Sequence, residues 1–558
     1  MGTRRALINS VIFVLVSLVI GGCKLPFKNL PGMQTVTPVT VAQTNTPFSP
    51  PSLTEVGEEP SQTAEMTAVP TFTEFPSPIP SILPSETASP TITLTPGPTN
   101  TAVPTITSLP TSTEVAIVPT ELPTDFPVYA EVERTRYLIA LSLDYDAHFV
   151  NASQDVYYTN RTGYSLESIV FAVNANLWQN TFTLLNSTVN DQPAPSTSLL
   201  GQWLTVSLPQ PLEPGQTIKI GLAYTLSLPY SSAKVENFGY TARQTNLIDW
   251  YPFIPPFNNG NWQLPNPYAF GENLVYEKAD FFVDLSFANP YSAPVVAAPL
   301  PPSSNNGVQH YEWINARNFT LSFSPNFLSS TAQAGDVTIV SYYFPEHAVS
   351  AAQVLEMTRR SVEIFSNSFG PYPHSWLAVV ETELNDGLEA DGLYFLSSSF
   401  YGAYPGGIKN NLSVIAIHET SHQWWYGAIG SDQANEPWLD EALSTYSEYI
   451  FFENYDPALL EWWWNFRVYS HQPFGYVDST IYNFSTFAQY VNAIYFNGAE
   501  FLHMVRQRIG GPAFYQWMSK YYSNYNGQIA QTSDLFSALS LVSSAYIDDL
   551  KADYFLGY

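Results

Sequence analysis

Two histidines separated by three residues constrain this chain more than any other feature. His418 and His422 lie in an apolar stretch, NLSVIAIHETSHQWWYG, which predicts a helix over residues 411–427. At this spacing both imidazoles lie on one helix face, close enough to bind the same cation. Burial of two histidines beside Glu419 would be costly without a partner, and a bound metal removes that cost. The stretch therefore predicts a buried helix with two metal ligands, and the geometry fits zinc.

A second helix is predicted to supply a third ligand. Glu441 follows His422 after eighteen intervening residues and lies in WLDEA, the first turns of a helix with Asn435 as its N-cap. Two helices joined by a short turn can converge, so His418, His422 and Glu441 would bind zinc and leave one position for water. Glu448 lies about two turns beyond Glu441 on the same face. It is predicted to orient a ligand histidine, and the alternative is a solvated helix carboxylate.

The segment from residue 418 to 450 resembles the core of the gluzincin zinc aminopeptidases, peptidase family M1, which include aminopeptidase N and leukotriene hydrolase. Upstream, GLEADGL at residues 387–393 resembles the Gly-x-Met-Glu-Asn exopeptidase loop of that family. Downstream, YFNG at residues 495–498 resembles the family's Tyr-x-Lys-Gly. The matching residues of the core are His418, Glu419, His422, Gln423, Trp424, Trp438, Leu439, Glu441 and Glu448.

The resemblance implies a role for three further side chains. Glu419 would be the general base, Glu389 would bind the free amine of a substrate, and Tyr495 would donate a hydrogen bond in the transition state. Taken alone, Glu389 could equally be a solvated loop carboxylate and Tyr495 a core aromatic. The chain departs from the family pattern at Asn497, where lysine is usual, and at Leu388 and Ala390, where aminopeptidase N has methionine and asparagine.

The beginning of the chain has the layout of a lipoprotein signal peptide. Residues 1–23 contain Arg4 and Arg5, an apolar run over residues 11–20, and Gly-Gly before Cys23. Cys23 is the chain's single cysteine and resembles the acylated cysteine of a bacterial lipobox. The alternative is an uncleaved signal anchor with an incidental cysteine. Both predict export, and a lone cysteine excludes a disulfide framework.

Composition divides the rest of the chain into three parts. Residues 24–127 are rich in Pro, Thr and Ser, which predicts a disordered tether whose glycosylation stays open. Residues 128–335 contain short alternating runs such as YLIALSLDY and IKIGLAYTL, which predict a β domain. Residues 336–558 mix strands and helices. The expected fold is α+β and multidomain, with an antiparallel, saddle-like N-terminal β domain and then a thermolysin-like zinc metallopeptidase domain, without the helical C-terminal domain of many relatives.

The net charge argues against nucleic acid as a partner, because the chain has 48 acidic and 20 basic residues and a net charge of −28. The resemblance implies an aminopeptidase with one Zn²⁺ per chain, which removes the N-terminal residue from peptides. Cys23 would hold it on the outer side of a bacterial membrane, and the oligomeric state stays open. The alternatives are a related zinc hydrolase (an endopeptidase or an epoxide hydrolase) and a catalytically vestigial surface-binding lipoprotein.

Overall fold

The computed structural model describes residues 134–231, 238–383 and 386–557. The predicted signal peptide with Cys23 and the predicted tether therefore lie outside the described residues. No helix in the described ranges combines the length and the apolar character that a membrane span requires.

The first half of the described chain is β structure. Alternation of buried and partly exposed side chains, as in TRYLIALSLD, makes these segments strands with one face toward a core. Within the described residues the largest sheet has eight strands, in the spatial order Ser303–Asn305, Val308–Ala316, Ala279–Phe287, Thr135–Asp144, Phe149–Thr159, Thr217–Ser227, Phe182–Val189 and Gln192–Pro193. Its pairs are antiparallel except that Thr135–Asp144 runs parallel to Ala279–Phe287.

Three smaller sheets complete this half. One contains Leu166–Ala172, Trp203–Leu212 and Thr197–Leu200; a second contains Val295–Ala297, Leu321–Ser324, Thr245–Leu247 and Gly239–Tyr240; a third pairs Phe257–Asn258 with Asn261–Trp262. The sheets share one hydrophobic core, which includes the buried side chains of Trp250, Phe281 and Phe319.

The second half begins with a five-stranded sheet in the order Leu328–Ala334, Val337–Tyr343, Trp376–Thr382, Leu393–Ser397 and Gly387–Ala390. The predicted domain boundary between residues 335 and 336 falls in the turn that joins the first two of these strands. Strand Gly387–Ala390 lies at the edge of the sheet and pairs antiparallel with Leu393–Ser397. This edge carries the predicted exopeptidase loop.

Helices make up the rest of the second half. The α-helices are Ala348–Ser368, Ser398–Gly402, Asn411–His422, Trp438–Tyr455, Leu460–Trp463, Phe487–Val491, Gly498–Ile509, Gly511–Tyr525, Thr532–Ser540 and Asp548–Tyr554. Three segments are π-helical: Gln423–Ala428, Trp464–Val468 and Asn492–Asn497. The predicted α+β class, a β region followed by a region of strands and helices, is confirmed.

Arg317 joins the two halves. It follows strand Val308–Ala316 of the β region and is buried, and its guanidinium donates to the backbone carbonyls of Tyr426, Ala428 and Gln528 at 2.6–2.9 Å. The Arg317 backbone N–H donates to Asp391, which also pairs with Lys278 of the β region at 2.8 Å. A buried guanidinium with this many acceptors fixes the β region against the helices.

Candidate active site

The first motif helix, Asn411–His422, carries the HETSH string. The Asn410 side chain caps it by accepting from the Ser413 N–H at 3.0 Å, and residues 412–422 are all buried. The chain then continues without a break into the π-helical segment Gln423–Ala428. The predicted helix over residues 411–427 therefore forms, with its last turn wider than an α-turn.

The second motif helix, Trp438–Tyr455, begins two residues later than the prediction of Asn435 as N-cap requires, and its N-cap is Pro437. That prediction is wrong. The Asp432 carboxylate accepts from the backbone N–H groups of Ala434 and Asn435, which makes residues 432–435 a separate turn ahead of the helix. Pro437, which has no N–H, directly precedes Trp438.

The two motif helices bring the three predicted metal ligands together. Glu441 Oε2 lies 3.2 Å from His418 Nε2 and 3.7 Å from His422 Nε2, and the three ligand atoms lie within 4.8 Å of one another. Zinc bonds near 2.0–2.2 Å in tetrahedral geometry place neighbouring ligand atoms about 3.3 Å apart. Two imidazole nitrogens and a carboxylate oxygen at these separations fit one zinc ion.

Carboxylates fix the orientation of both histidines. His418 Nδ1 lies 2.9 Å from Glu448 Oε1, and His422 Nδ1 lies 2.5 Å from Asp440 Oδ1, so each Nε2 is free for the metal. Glu448 also accepts from Arg467 at 3.0 Å. Sequence reasoning placed Glu448 beside a ligand histidine but gave no role to Asp440 or Arg467. Asp440 could have been found from the sequence, because it directly precedes the predicted metal ligand Glu441.

Glu419 lies beside the metal ligands, and one of its two carboxylate oxygens has no hydrogen-bond partner among the described residues. Its Oε2 is buried and accepts no hydrogen bond within the described chain, and its Oε1 faces the edge strand at Gly387. A Cβ at residue 387 would lie 2.0 Å from Glu419 Oε1, so only glycine leaves room for this carboxylate. Burial and the neighbouring Glu389 and Glu441 carboxylates raise the pKa of Glu419 well above its ordinary value.

Glu389 points into the same cavity from the edge strand Gly387–Ala390. Its Oε1 accepts from Gln433 Nε2 at 2.9 Å, and the same amide donates to Asp440 at 2.6 Å. Ligand atoms of Glu389, Glu419 and His422 lie within 4.8 Å of one another. Glu389 is thus a buried member of the cluster and not a solvated loop carboxylate.

Tyr495 lies in the π-helical segment Asn492–Asn497 and reaches the metal ligands. Its hydroxyl donates to Glu441 Oε1 at 2.5 Å, and its ring is parallel to His418 at a centroid distance of 5.8 Å. Asn497, at the usual lysine position, turns away and donates to the Gly475 carbonyl at 2.7 Å. This departure from the family pattern therefore leaves the Tyr495 hydroxyl at the site.

A cavity of about 920 Å³ contains these groups and is strongly acidic. Its wall includes Glu272 of the β region, which sequence reasoning missed because no short-range pattern links it to the motif helices. Burial, together with Glu441 and Asp440, raises the pKa of Glu272 to about 8. Burial alone would lower the pKa of His418, but Glu441 and Glu448 raise it to about 9. A bound cation would stabilise the ionised forms of the buried acids, which burial and the neighbouring carboxylates disfavour.

This arrangement defines a metal-dependent hydrolase site, and comparison with known proteins identifies its class. Residues 353–554 match the Peptidase family M1 domain. Over these residues, which include the three predicted metal ligands, the chain is similar to peptidase family M1, and the donor set of two imidazoles and one carboxylate fits zinc.

Curated relatives match over limited lengths. Aminopeptidase M1-C of Oryza sativa subsp. japonica is 24% identical over 157 residues, which are 26% of this chain and 18% of the relative. Aminopeptidase N of Lactobacillus delbrueckii subsp. lactis is 22% identical over 299 residues, 49% of this chain and 35% of the relative. The matched part of this chain thus spans about a fifth to a third of these relatives.

Solved structures share the fold over a longer range. A variant of the M1 zinc metallopeptidase from Deinococcus radiodurans aligns with a TM-score of 0.56 at 19% identity, and covers 76% of this chain and 95% of its own. A two-domain M1 zinc metallopeptidase bound to L-tryptophan aligns with a TM-score of 0.56 at 18% identity, covering 76% and 96%. The α+β fold of this chain is that of two-domain M1 metallopeptidases.

The purified protein is expected to contain about one zinc per chain, because three ligands and one open position make a single tetrahedral site. Substitution His422→Ala should abolish stoichiometric zinc, measured by elemental analysis after dialysis. Glu419→Gln should retain zinc, since Glu419 lies beside the ligands and is not one of them. His503→Ala is the matched control, because this histidine contacts Tyr446 away from the cavity. Full zinc in His422→Ala would contradict the ligand assignment.

Proposed function

We propose that this chain is a zinc-dependent aminopeptidase that hydrolyses the N-terminal residue from peptides at the cell surface. The observation that carries the proposal is the unpartnered buried oxygen of Glu419 beside three zinc ligands, with a second buried acid, Glu389, in the same cavity. One acid is placed to move protons and the other to bind a cation. This division of roles suits hydrolysis next to a free amine.

Zinc, when bound by His418, His422 and Glu441, supplies Lewis acidity to the scissile carbonyl and to water. Glu419 then accepts a proton from the attacking water and returns one to the leaving amine. A general acid–base works best when its pKa lies near the operating pH, and burial raises the pKa of Glu419 from its ordinary acidic value in that direction. Asp440 and Glu448 hold the two ligand histidines in the orientation that the reaction needs.

Glu389 and Glu272 set the register of the substrate. Both are acidic side chains in the cavity wall, one from the edge strand and one from the β region. An α-ammonium group placed between them would stabilise their ionised forms, which burial in the cavity otherwise disfavours. The peptide would then enter with its first residue innermost, so that only the first peptide bond reaches Glu419.

Tyr495 is placed to stabilise the reacting carbonyl oxygen. Its hydroxyl already lies at the metal ligand Glu441, and it is the phenol that reaches this part of the cavity from the π-helical segment. A hydroxyl that donates to negative charge forming in the transition state contributes to turnover more than to binding.

Glu389→Gln removes the charge and keeps the size of the side chain, so kcat/KM on aminoacyl anilides should fall about 10- to 100-fold, as expected for a lost charge-assisted hydrogen bond. Zinc content should not change. Glu383→Gln is the matched control, because Glu383 pairs with Arg243. N-acetylated substrates should be poor, and chelator should abolish hydrolysis of the free-amine substrates.

Efficient cleavage of blocked or internal peptide bonds by the parent protein would support an endopeptidase. Turnover of an epoxide in place of peptides would support an epoxide hydrolase. A zinc-loaded protein that hydrolyses none of these substrates would support the alternative of a catalytically vestigial surface-binding lipoprotein.

Tyr495→Phe removes one hydroxyl and little volume. If the hydroxyl donates to the transition state, kcat should fall about 100- to 1,000-fold with a smaller change in substrate binding. A packing role instead predicts normal turnover and nearly unchanged stability. Steady-state kinetics and the thermal midpoint of one zinc-loaded preparation distinguish the two. Tyr525→Phe, a tyrosine of a distant helix, is the control.

The proposed location is the outer side of a bacterial membrane, with Cys23 as the lipid-bearing residue. The support is the sequence of residues 1–23, with Arg4, Arg5, an apolar run and the chain's single cysteine. Expressed in a bacterium, the parent chain should sediment with membranes, and mass spectrometry should find acyl chains on Cys23. Cys23→Ser should abolish the acylation. A parent protein without acyl chains would refute the anchor.

A further inference from the structure

The active-site cavity continues beyond the two amine-binding acids into a narrow extension of about 100 Å³. Glu272, Glu389 and Asp249 line both the main cavity and the extension, so the two spaces are contiguous. A first residue whose ammonium lies at Glu389 and Glu272 would have this space within reach of its side chain. The extension has room for one side chain only.

The walls of the extension contain both carboxamide side chains and single apolar side chains. Its amide-bearing lining residues are Asn174, Asn273, Asn318 and Gln433, whereas Ile248 and Leu388 are apolar. No arginine, lysine or histidine of the described chain lines it. An unbranched side chain with an apolar stem and a positive end matches walls of this kind.

Asp249 supplies a negative group without a cationic partner. It lies just after strand Thr245–Leu247, and the Tyr276 hydroxyl donates to its Oδ1. No salt bridge to Asp249 occurs within the described residues, although the carboxylate is only partly exposed. Burial raises the pKa of Asp249 to about 6, so the group is ionised at neutral pH.

The backbone at this residue is also unusual. Asp249 has φ +49°, in the left-handed region that few residues other than glycine adopt. Aspartate and asparagine adopt this region more readily than other residues that have side chains. Here the conformation turns residues 248 and 249 toward the extension that both of them line.

We propose that the extension binds the basic side chain of an N-terminal lysine or arginine, with Asp249 as its counter-charge. This inference rests on the proposed aminopeptidase function and specifies its substrate class. The lysine methylenes would pack on Ile248 and Leu388, and the ammonium would reach Asp249 through a charge-assisted hydrogen bond. Acidic first residues would meet repulsion from the ionised Asp249.

The test compares lysine with norleucine, which has the same unbranched stem and no charge. On the zinc-loaded protein, kcat/KM for lysyl anilide should exceed that for norleucyl anilide by about 10- to 100-fold. In Asp249→Asn this ratio should fall to within about threefold of unity, because the charge-assisted bond is lost. Asn tolerates positive φ, so the substitution preserves the backbone. Asp553→Asn, at an exposed position of the last helix, is the control and should keep the ratio.

Calorimetric binding of free L-lysine and L-norleucine to the parent protein separates the two proposals. Hydrolysis with equal rates for both anilides, or an unchanged ratio in Asp249→Asn, would overturn the role of Asp249 and leave the aminopeptidase standing. Tighter binding of lysine without any hydrolysis would overturn the aminopeptidase and support the pocket. Equal binding without hydrolysis would overturn both. Because the parent protein alone gives the ratio and the binding preference, the inference does not depend on the variant's folding.

Discussion

Buried negative charge is the constraint on which this site depends. Glu389, Glu419, Asp440 and Glu441 are each at most 6% exposed and surround two histidines. Charges removed from water are tolerated when they are neutralised or when they bind a cation, and otherwise they destabilise the fold. A zinc ion at the three ligands would stabilise the ionised form of Glu441, and the ammonium group that we propose at Glu389 would stabilise the ionised form of that side chain. The surplus of carboxylates is therefore the physical basis of the proposal that the cavity binds cations.

The β region is as necessary to the site as the motif helices are. Glu272 and Asp249 come from this region, whereas the metal ligands come from helices that follow these two residues by more than a hundred positions. Arg317 holds the halves in register through the carbonyls at the end of the first motif helix, and Asp391 adds ion pairs to Lys278 and His374. These contacts hold the acidic side chains of the β region opposite those of the motif helices, and they therefore determine the width of the cavity.

Local spacing explains what the sequence could predict. The positions of His418, His422, Glu441 and Glu448 follow from helix periodicity and one short turn, and the structure brings these side chains within hydrogen-bond or ligand distance. Glu389 and Tyr495 entered through the family resemblance, and the structure places both at the same cluster. The positions of Glu272 and Asp249 in the cavity wall could not be predicted, because a contact between distant segments of the chain produces no periodic pattern in the sequence. The prediction of Asn435 as N-cap was wrong because a nearby acid, Asp432, forms a competing turn. The parallel pairing of Thr135–Asp144 with Ala279–Phe287 could not be predicted either, because alternation of apolar and polar residues identifies a strand but not the direction of its neighbour.

The π-helical segments restrict how this part of the chain can change length. Each accommodates its extra residue within a single wide turn, after Glu419 and His422 in Gln423–Ala428 and around Tyr495 in Asn492–Asn497. Loss of one residue from Asn492–Asn497 would restore regular α-helical winding and rotate one flank by about 100° relative to the other. Tyr495 would then leave His418 and Glu441 although every functional side chain was still present. In this stretch the position of the Tyr495 hydroxyl depends on the number of residues as well as on their identity, so a deletion would displace it even where a substitution would not.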